Sequence, residues 1–544
     1  MSQPAIPAYA DYLRDTPFVS PTGPLNAWEL CCGRYVGQGR EALTWIDTDE
    51  RIHHVGFDEF DRRSARFANL LAERGIGAGD VVAGLLPRRP ELLEVILGTW
   101  RVGAAYQPLF TAFGPKAIAH RLTSSGARLV VTVAEQRAKL DEVNGAPPTL
   151  TVGSGDMEDY AAAMARQGEW FAPVPRQPED PFLVMFTSGT TGLPKQLRVP
   201  LRAVAAIEGY MRHAVDLRED DVLWNIADPG WAYGLYYGVV GPLLLGHATT
   251  FHEGGFTVES CYATIRRLGV TNLLGAPTAY RMLMAAGDAP TAALRGQLRV
   301  ASSAGEPLNP EVIRWFERVL GTRLHDHYGQ TETGMTVCNH HALAHPVRVG
   351  SAGFASPGFT VAVLDESLRP LPPGQPGMLA IDVARSPALF FVGYHGQEQD
   401  AFRDGWYLTG DTVELNDDGS IAFVGRNDDV ITSSGYRIGP FDVESCLVEH
   451  PAVAEAAVVG KPDPQRTEIV KAYVVPRAGY AADEALRAAL TEHVRTRLST
   501  HAYPREIEFL DALPKTPSGK IQRFLLRQQA RAEAEQQAGN TPAG

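Results

Sequence analysis

FLVMFTSGTTGLPK, residues 182–195, sets the frame for reading the whole chain. Phe182–Phe186 is a short, continuous apolar run, the pattern of a strand buried on both faces. It leads directly into Thr187, Ser188, Gly189, Thr190, Thr191 and Gly192, and the segment closes on Lys195. Glycine lets the backbone approach an anion closely, and successive exposed N–H groups form a nest for phosphate oxygens. Lys195 adds a point charge. The residue before it is Pro194, so the G-x-x-x-x-G-K spacing of a Walker loop is absent. On the residues alone the stretch reads as a phosphate-binding loop or as an ordinary Ser/Gly turn.

On either side, strands alternate with helical patterns. VVAGLL at 81–86 and ARLVVTV at 127–133 read as buried strands, and Pro90 opens a helix over ELLEVILGTWRVG. TNLLGA at 271–276 is a strand followed by a helix through 280–284. LRVASSAGEPL at 298–308 leads into PEVIRWFERVL, with Asn309 as expected N-cap and Pro310 at the first helical position. Such alternation predicts parallel α/β layers. After about residue 350 the pattern changes. VAVLDESLRPLPPGQPGMLAIDV predicts two antiparallel strands, and a small α+β unit is expected from about residue 428. The last fifteen residues are expected to form a frayed helix end and a disordered tail.

The chain has 544 residues, which implies roughly three to five compact units. Its net charge is −13, with an isoelectric point near 5.6, which disfavours a general nucleic-acid binder. No apolar run has the roughly 20 residues that span a bilayer, and the first residues lack a basic segment followed by an apolar one. The five cysteines follow no zinc or redox spacing. The expectation is a cytoplasmic protein whose cysteines are small buried hydrophobes.

Three further segments carry chemistry. DHYGQTETG at 326–334 places Glu332 among hydroxyls and aromatics, where a carboxylate could join phosphate oxygens around Mg2+. Tyr328 offers a flat face for a base. In the stretch GWYLTGD to GYRIGP at 405–440, Asp411 could accept from vicinal ribose hydroxyls, and the planar fork of Arg426 could bridge sugar and phosphate. In PKTPSGKIQR at 514–523, Lys520 follows a Pro-Ser-Gly turn that exposes its ammonium. Taken singly, these also read as a polar surface loop, a set of hairpin turns and a solvated lysine.

Together, in this order and spacing, the four segments resemble the adenylate-forming superfamily: acyl-CoA synthetases, firefly luciferase and peptide-synthetase adenylation domains. The likeness runs from roughly residue 40 to 530 and is strongest to the medium-chain acyl-CoA synthetases. It implies an α/β fold with a large N-terminal AMP-binding domain, residues 1–427, of layered αβ subdomains plus a β-rich part. A small mobile α+β C-terminal domain, residues 428–544, would turn about a hinge at Asp428. The resemblance implies that Thr187–Lys195 is the phosphate loop and that Gly305, Glu306 and Pro307 flank adenine. Asp326, His327, Tyr328, Gly329, Gln330 and Thr331 would hold adenine and the α-phosphate, Glu332 the magnesium ion, and Asp411 and Arg426 the ribose. Lys520 matches the catalytic lysine of the first half-reaction. Ser434, Gly435, Tyr436 and Arg437 would border the CoA tunnel, while Ala502 stands where medium-chain members often carry lysine.

The implied activity is an AMP-forming acyl-CoA synthetase, an acid–thiol ligase. ATP, Mg2+ and CoA would be its cofactors and a carboxylic acid its substrate, with no nucleic acid and no membrane span. Trp231 resembles an aromatic lining the acyl pocket. Gly329 stands where relatives restricted to acetate carry tryptophan, so the expected substrate is an apolar monocarboxylic acid longer than acetate, and Gly329→Trp is expected to favour acetate or propionate. An acyl-AMP ligase that loads a carrier protein and a non-catalytic nucleotide-binding relative are the alternatives. Chain length of the acid and oligomeric state are left open.

Overall fold

The structure, a computed structural model, describes residues 6–155, 159–187, 194–397, 400–426, 429–433, 436–463, 466–499, 501–516 and 520–539. The side chains of Arg437 and of residues 537–539 are also outside this set. Of the sequence-predicted site, Ser188–Gly192, Asp428, Ser434 and Gly435 lie outside the described residues.

The opening motif is the edge hairpin of a six-stranded sheet. Its order is Thr149–Val152, Leu129–Val133, Val81–Leu85, Ala105–Pro108, Pro181–Thr187 and Lys195–Pro200. The first five strands run parallel, and the last is antiparallel to its neighbour. Val81–Leu85 and Leu129–Val133 are buried at every position, which is why they read as unbroken apolar runs. Thr187 and Lys195 are register partners, so both ends of the phosphate loop are fixed on adjacent strands.

A second six-stranded sheet has the order Phe354–Ala355, Gly334–Cys338, Leu324–Gln330, Val300–Ala304, Asn272–Gly275 and Leu223–Asn225. Its last four strands are parallel. Their carboxyl ends deliver Asp228, Thr278, Gly305–Pro307 and Tyr328–Gln330 to a common cleft, the usual place for a ligand in an open α/β sheet. An antiparallel sheet follows, built from Val361–Leu364, Pro376–Asp382, Trp406–Leu415, Phe402–Arg403 and Ile421–Arg426, and it pairs Asp411 directly with Arg426. A smaller sheet joins distant parts of the chain: Glu41–Ile46 lies between Ile52–Gly56 and the parallel strand Thr249–His252.

The C-terminal sheet contains Tyr436–Ile438, Ile431–Ser433, Thr467–Pro476, Val453–Asp463 and Glu506–Phe509. Helices Pro440–Val448 and Glu484–Arg497 share one apolar core with it, around Val443, Leu447, Leu490 and Val494. Another cluster joins the sheet to the last helix, Arg523–Gly539, through Leu526 and Ala530.

This helix corrects the expectation of a frayed end as far as Gly539, and the tail expected beyond it lies outside the described residues. It runs to Gly539, and its Glu533 bonds the buried Lys471 at 2.6 Å and Lys461 at 3.3 Å. Asn309 is a second correction. It occupies the N-cap position of Pro310–Leu320, but its side chain does not cap the helix. Its amide instead donates to Ser445 Oγ at 3.1 Å, tying the large unit to the small one. All five cysteines are free and buried, as expected. Among the described residues, no helix is long and apolar enough to cross a membrane.

Candidate active site

A cleft of about 1830 Å³ collects residues from the two parallel-stranded sheets, the antiparallel sheet and the segment 516–528 of the C-terminal unit. Lys195, Glu306, Asp326, Tyr328, Glu332, Asp411, Arg426 and Lys520 all border it, together with Thr187, Gly305, Pro307, His327, Gly329, Gln330 and Thr331. Motifs separated by more than 300 residues therefore meet in one space.

Asp411 is the best-supported carboxylate. Tyr328 Oη donates to its Oδ2 at 2.5 Å, and Gln330 Nε2 donates to the same oxygen at 2.8 Å. Gln330 also donates to Thr409 O at 2.8 Å and accepts from Tyr407 Oη at 2.9 Å. Arg426 approaches Asp411 Oδ1 at 3.9 Å. These bonds fix the carboxylate's orientation.

Strand alternation divides Leu324–Gln330 between two roles. The His327 imidazole turns away to accept from Tyr210 Oη at Nδ1, 2.8 Å, and to donate from Nε2 to Asn339 O, 3.0 Å. The carbonyl partner assigns the proton to Nε2. Burial keeps this ring neutral, with its pKa lowered to about 3. Asp326 accepts from Leu308 N–H at 3.2 Å through Oδ2, while Oδ1 is buried without a hydrogen bond among the described residues. Burial pushes its pKa up to about 8. A protonated carboxyl can donate and accept at once, a property suited to a base edge.

Gly305 follows its strand with φ +101°, a conformation that favours glycine. Glu306 is drawn into an ion pair with Arg281 at 2.9 Å.

Glu332 is buried, and burial raises its pKa. Tyr394 Oη donates to its Oε1 at 2.5 Å, and Lys195 Nζ lies 4.8 Å from the centroid of the Tyr394 ring. Among the described residues no group of three or more His, Cys, Asp or Glu could hold a metal by itself. One buried carboxylate, with Lys195 close by, fits Mg2+, which fills its remaining positions with phosphate oxygens and water. Lys520 is exposed, and its carbonyl accepts from Thr516 N–H at 2.7 Å; the Pro-Ser-Gly turn expected before it lies outside the described residues.

At the other end of the cleft, the Trp231 ring packs 5.6 Å from Phe110 and 5.4 Å, edge-on, from Phe113. Asp228 and Arg88 lie 3.8 Å apart nearby. Gly329, on which the size argument rests, stands in a crowded stretch of backbone. The hairpin register shifts between Tyr328 and Gly329, and a Cβ on Gly329 would meet Gly334 O at 2.3 Å and Met335 Cα at 2.8 Å. Glycine is required there by the approach of the neighbouring backbone, so an indole at 329 would displace the hairpin rather than occupy vacant space.

Tyr394, Tyr407, Thr409 and Arg281 belong to the site geometry but were not singled out from the sequence. Each lies outside the four motifs or carries no spacing that marks it. Tyr394 stands in an aromatic-rich stretch outside the motifs, and Tyr407 lies in the third motif without a spacing that marks it.

Comparison with known proteins agrees with this geometry. The AMP-binding enzyme family matches residues 35–391, and the AMP-binding enzyme C-terminal domain matches residues 442–520. The acetyl-coenzyme A synthetase of Bacillus subtilis is 39% identical over 527 residues, covering 93% of this chain and 91% of its own. The mitochondrial acyl-coenzyme A synthetase ACSM3 of Mus musculus is 35% identical over 540 residues, covering 96% and 91%. The crystal structure of an acyl-CoA synthetase from Brucella canis is 56% identical, covers 98% of this chain and all of its own, and superposes with a TM-score of 0.78. The chain belongs to the AMP-binding enzyme family, as one of its AMP-forming acid–thiol ligases.

Proposed function

We propose that this acyl-CoA synthetase acts on apolar monocarboxylic acids longer than acetate, in the cytoplasm. The observation that carries the substrate reading is the aromatic end of the cleft, where Trp231 and Phe110 form an apolar wall. Arg88, which also lines the cleft, is engaged by Asp228 and by the carbonyls of Ile226 and Gly254. Arg88 is therefore not a ready countercharge for a second carboxylate on the substrate. The likeness to an acetyl-coenzyme A synthetase favours acetate as the competing substrate.

In this reading the first step joins two anions. A carboxylate oxygen attacks the α-phosphorus of ATP, and the bond to the pyrophosphate oxygen breaks. Positioning and charge stabilisation dominate such a transfer. Lys520 neutralises the carboxylate and the α-phosphate, and Lys195 meets the departing pyrophosphate. Asp411 receives the ribose hydroxyls, and Asp326 with the backbone of Gly305–Pro307 and Tyr328 takes the base. Glu332 would hold Mg2+, which screens phosphate charge when bound. The second step requires a CoA thiol to reach the acyl carbonyl, with AMP as the leaving group. Lys520 obstructs that route, so the C-terminal unit turns about Asp428 and presents Ser434–Arg437 instead.

A panel of straight-chain and aryl acids, scored by pyrophosphate release with and without CoA, tests the assignment. Acids longer than propionate should give the higher kcat/KM. A clear maximum at acetate contradicts the substrate reading, and release that ignores CoA contradicts the acceptor.

A further inference from the structure

Tyr394 belongs to none of the four motifs, yet it touches two of their residues. Its hydroxyl donates to Glu332 Oε1 at 2.5 Å. Its ring lies 4.8 Å below Lys195 Nζ. Thr187 and Lys195 are the register partners at the two ends of the phosphate loop. The tyrosine is itself held by aromatic packing. Its ring lies 5.0 Å from that of Phe391, which in turn packs 5.3 Å from Tyr407, the partner of Gln330.

Packing alone does not explain this side chain. A phenylalanine would fill the same space but leave the buried Glu332 carboxylate without its donor. A phenol on a carboxylate makes a charge-assisted hydrogen bond, and a ring face under an ammonium adds a cation–π contact. One side chain thus sets the spacing between a carboxylate and a lysine that come from different sheets.

We infer that Tyr394 is a positioning residue for magnesium-bound ATP, holding Glu332 and Lys195 in one preformed arrangement. The inference rests on the proposed roles of Glu332 at the metal and Lys195 at the phosphates. It goes beyond them by naming the group that couples the two. Its consequence is specific: loss of the hydroxyl should weaken nucleotide binding only when the metal is present, because the hydroxyl acts through Glu332.

The test is calorimetric titration of the full-length protein with ATP in Mg2+ and with ATP in a chelator. Tyr394→Phe keeps the ring on Phe391 and under Lys195. It should weaken binding of MgATP about tenfold while leaving metal-free ATP within about twofold. Tyr394→Leu removes the ring as well, and both nucleotide forms should lose a further threefold or so through Lys195. Equal losses with and without metal for Tyr394→Phe, or no loss, overturn the inference. Glu332→Gln separates the two levels of failure. If it removes the advantage of Mg2+ while Tyr394→Phe retains it, Tyr394 is not the coupling residue and the site assignment stands. If Glu332→Gln keeps that advantage, the magnesium assignment falls and the inference falls with it.

Discussion

Asp411, on one wall of the cleft, accepts from Tyr328 and Gln330, and Gln330 is itself held by Tyr407 and Thr409. Lys520, which borders the same cleft, is exposed. Contacts between the unit that carries Lys520 and the large unit include Asn309 with Ser445 at 3.1 Å, Arg314 with Glu449 at 3.7 Å, and Met284 against the C-terminal apolar core. Buried groups that satisfy one another resist displacement. Exposed ion pairs contribute about 0–1 kcal/mol each and are readily exchanged. If Asp411 holds the nucleotide and the C-terminal unit moves, as proposed, this contrast suits two steps that need different groups beside the same carboxyl.

Substituting at both residues sharpens this contrast. Lys520→Ala should have the largest effect, slowing adenylation by about 10²–10³, as loss of one charge-stabilising donor does. Thiolation of supplied acyl-AMP should be nearly spared, and rapid-quench measurement of each half-reaction tests the split. Asp411→Ala strands Tyr328 and Gln330. ATP affinity should fall by about 10- to 100-fold, read by calorimetry. If that loss were confined to the thiolation step, the assignment of the two residues would be reversed.

Gly329→Trp now carries a different expectation from the one its position in the motif suggests. The added Cβ meets backbone at 2.3 Å, so stability should fall by about 1–3 kcal/mol and turnover with every acid should fall with it. An unchanged melting temperature with a clean shift towards acetate would restore the pocket-size argument. Asp326→Asn probes the base side through pH. The folded carboxyl titrates near 8, above its ordinary 3.8, so in that interval the folded protein keeps a proton that the unfolded chain has lost. Wild-type stability should therefore decline as pH rises through the interval and level off above it. The asparagine variant should lack that decline in urea titrations. Arg314→Ala, at an exposed pair between the units, should change the ratio of the two half-reaction rates by no more than about twofold.

The parallel layers were readable because strands buried on both faces, such as Val81–Leu85, write themselves as apolar runs, and because Pro90 and Pro310 mark helix starts. The strand Thr249–His252 was not, since its partner Glu41–Ile46 lies about two hundred residues earlier and no local signal joins them. The last helix was misjudged because its Ala/Glu/Gln composition lacks an apolar stripe. Leu526, Ala530 and the Glu533 ion pairs hold it instead. Asn309 had the right residue type for a cap, but an inter-unit hydrogen bond claimed its side chain. At the site, Lys195, Glu332, Asp411 and Lys520 were visible as motif residues that border one cleft. Tyr394 and Tyr407 were not, because a tyrosine that orients another residue leaves no spacing to recognise.

The most direct measurement is exchange of labelled pyrophosphate into ATP, run with Mg2+ and a carboxylic acid but without CoA. The account predicts acid-dependent exchange in the wild type, strongly reduced in Lys520→Ala. Exchange that requires CoA, or that proceeds equally well without any acid, would contradict it.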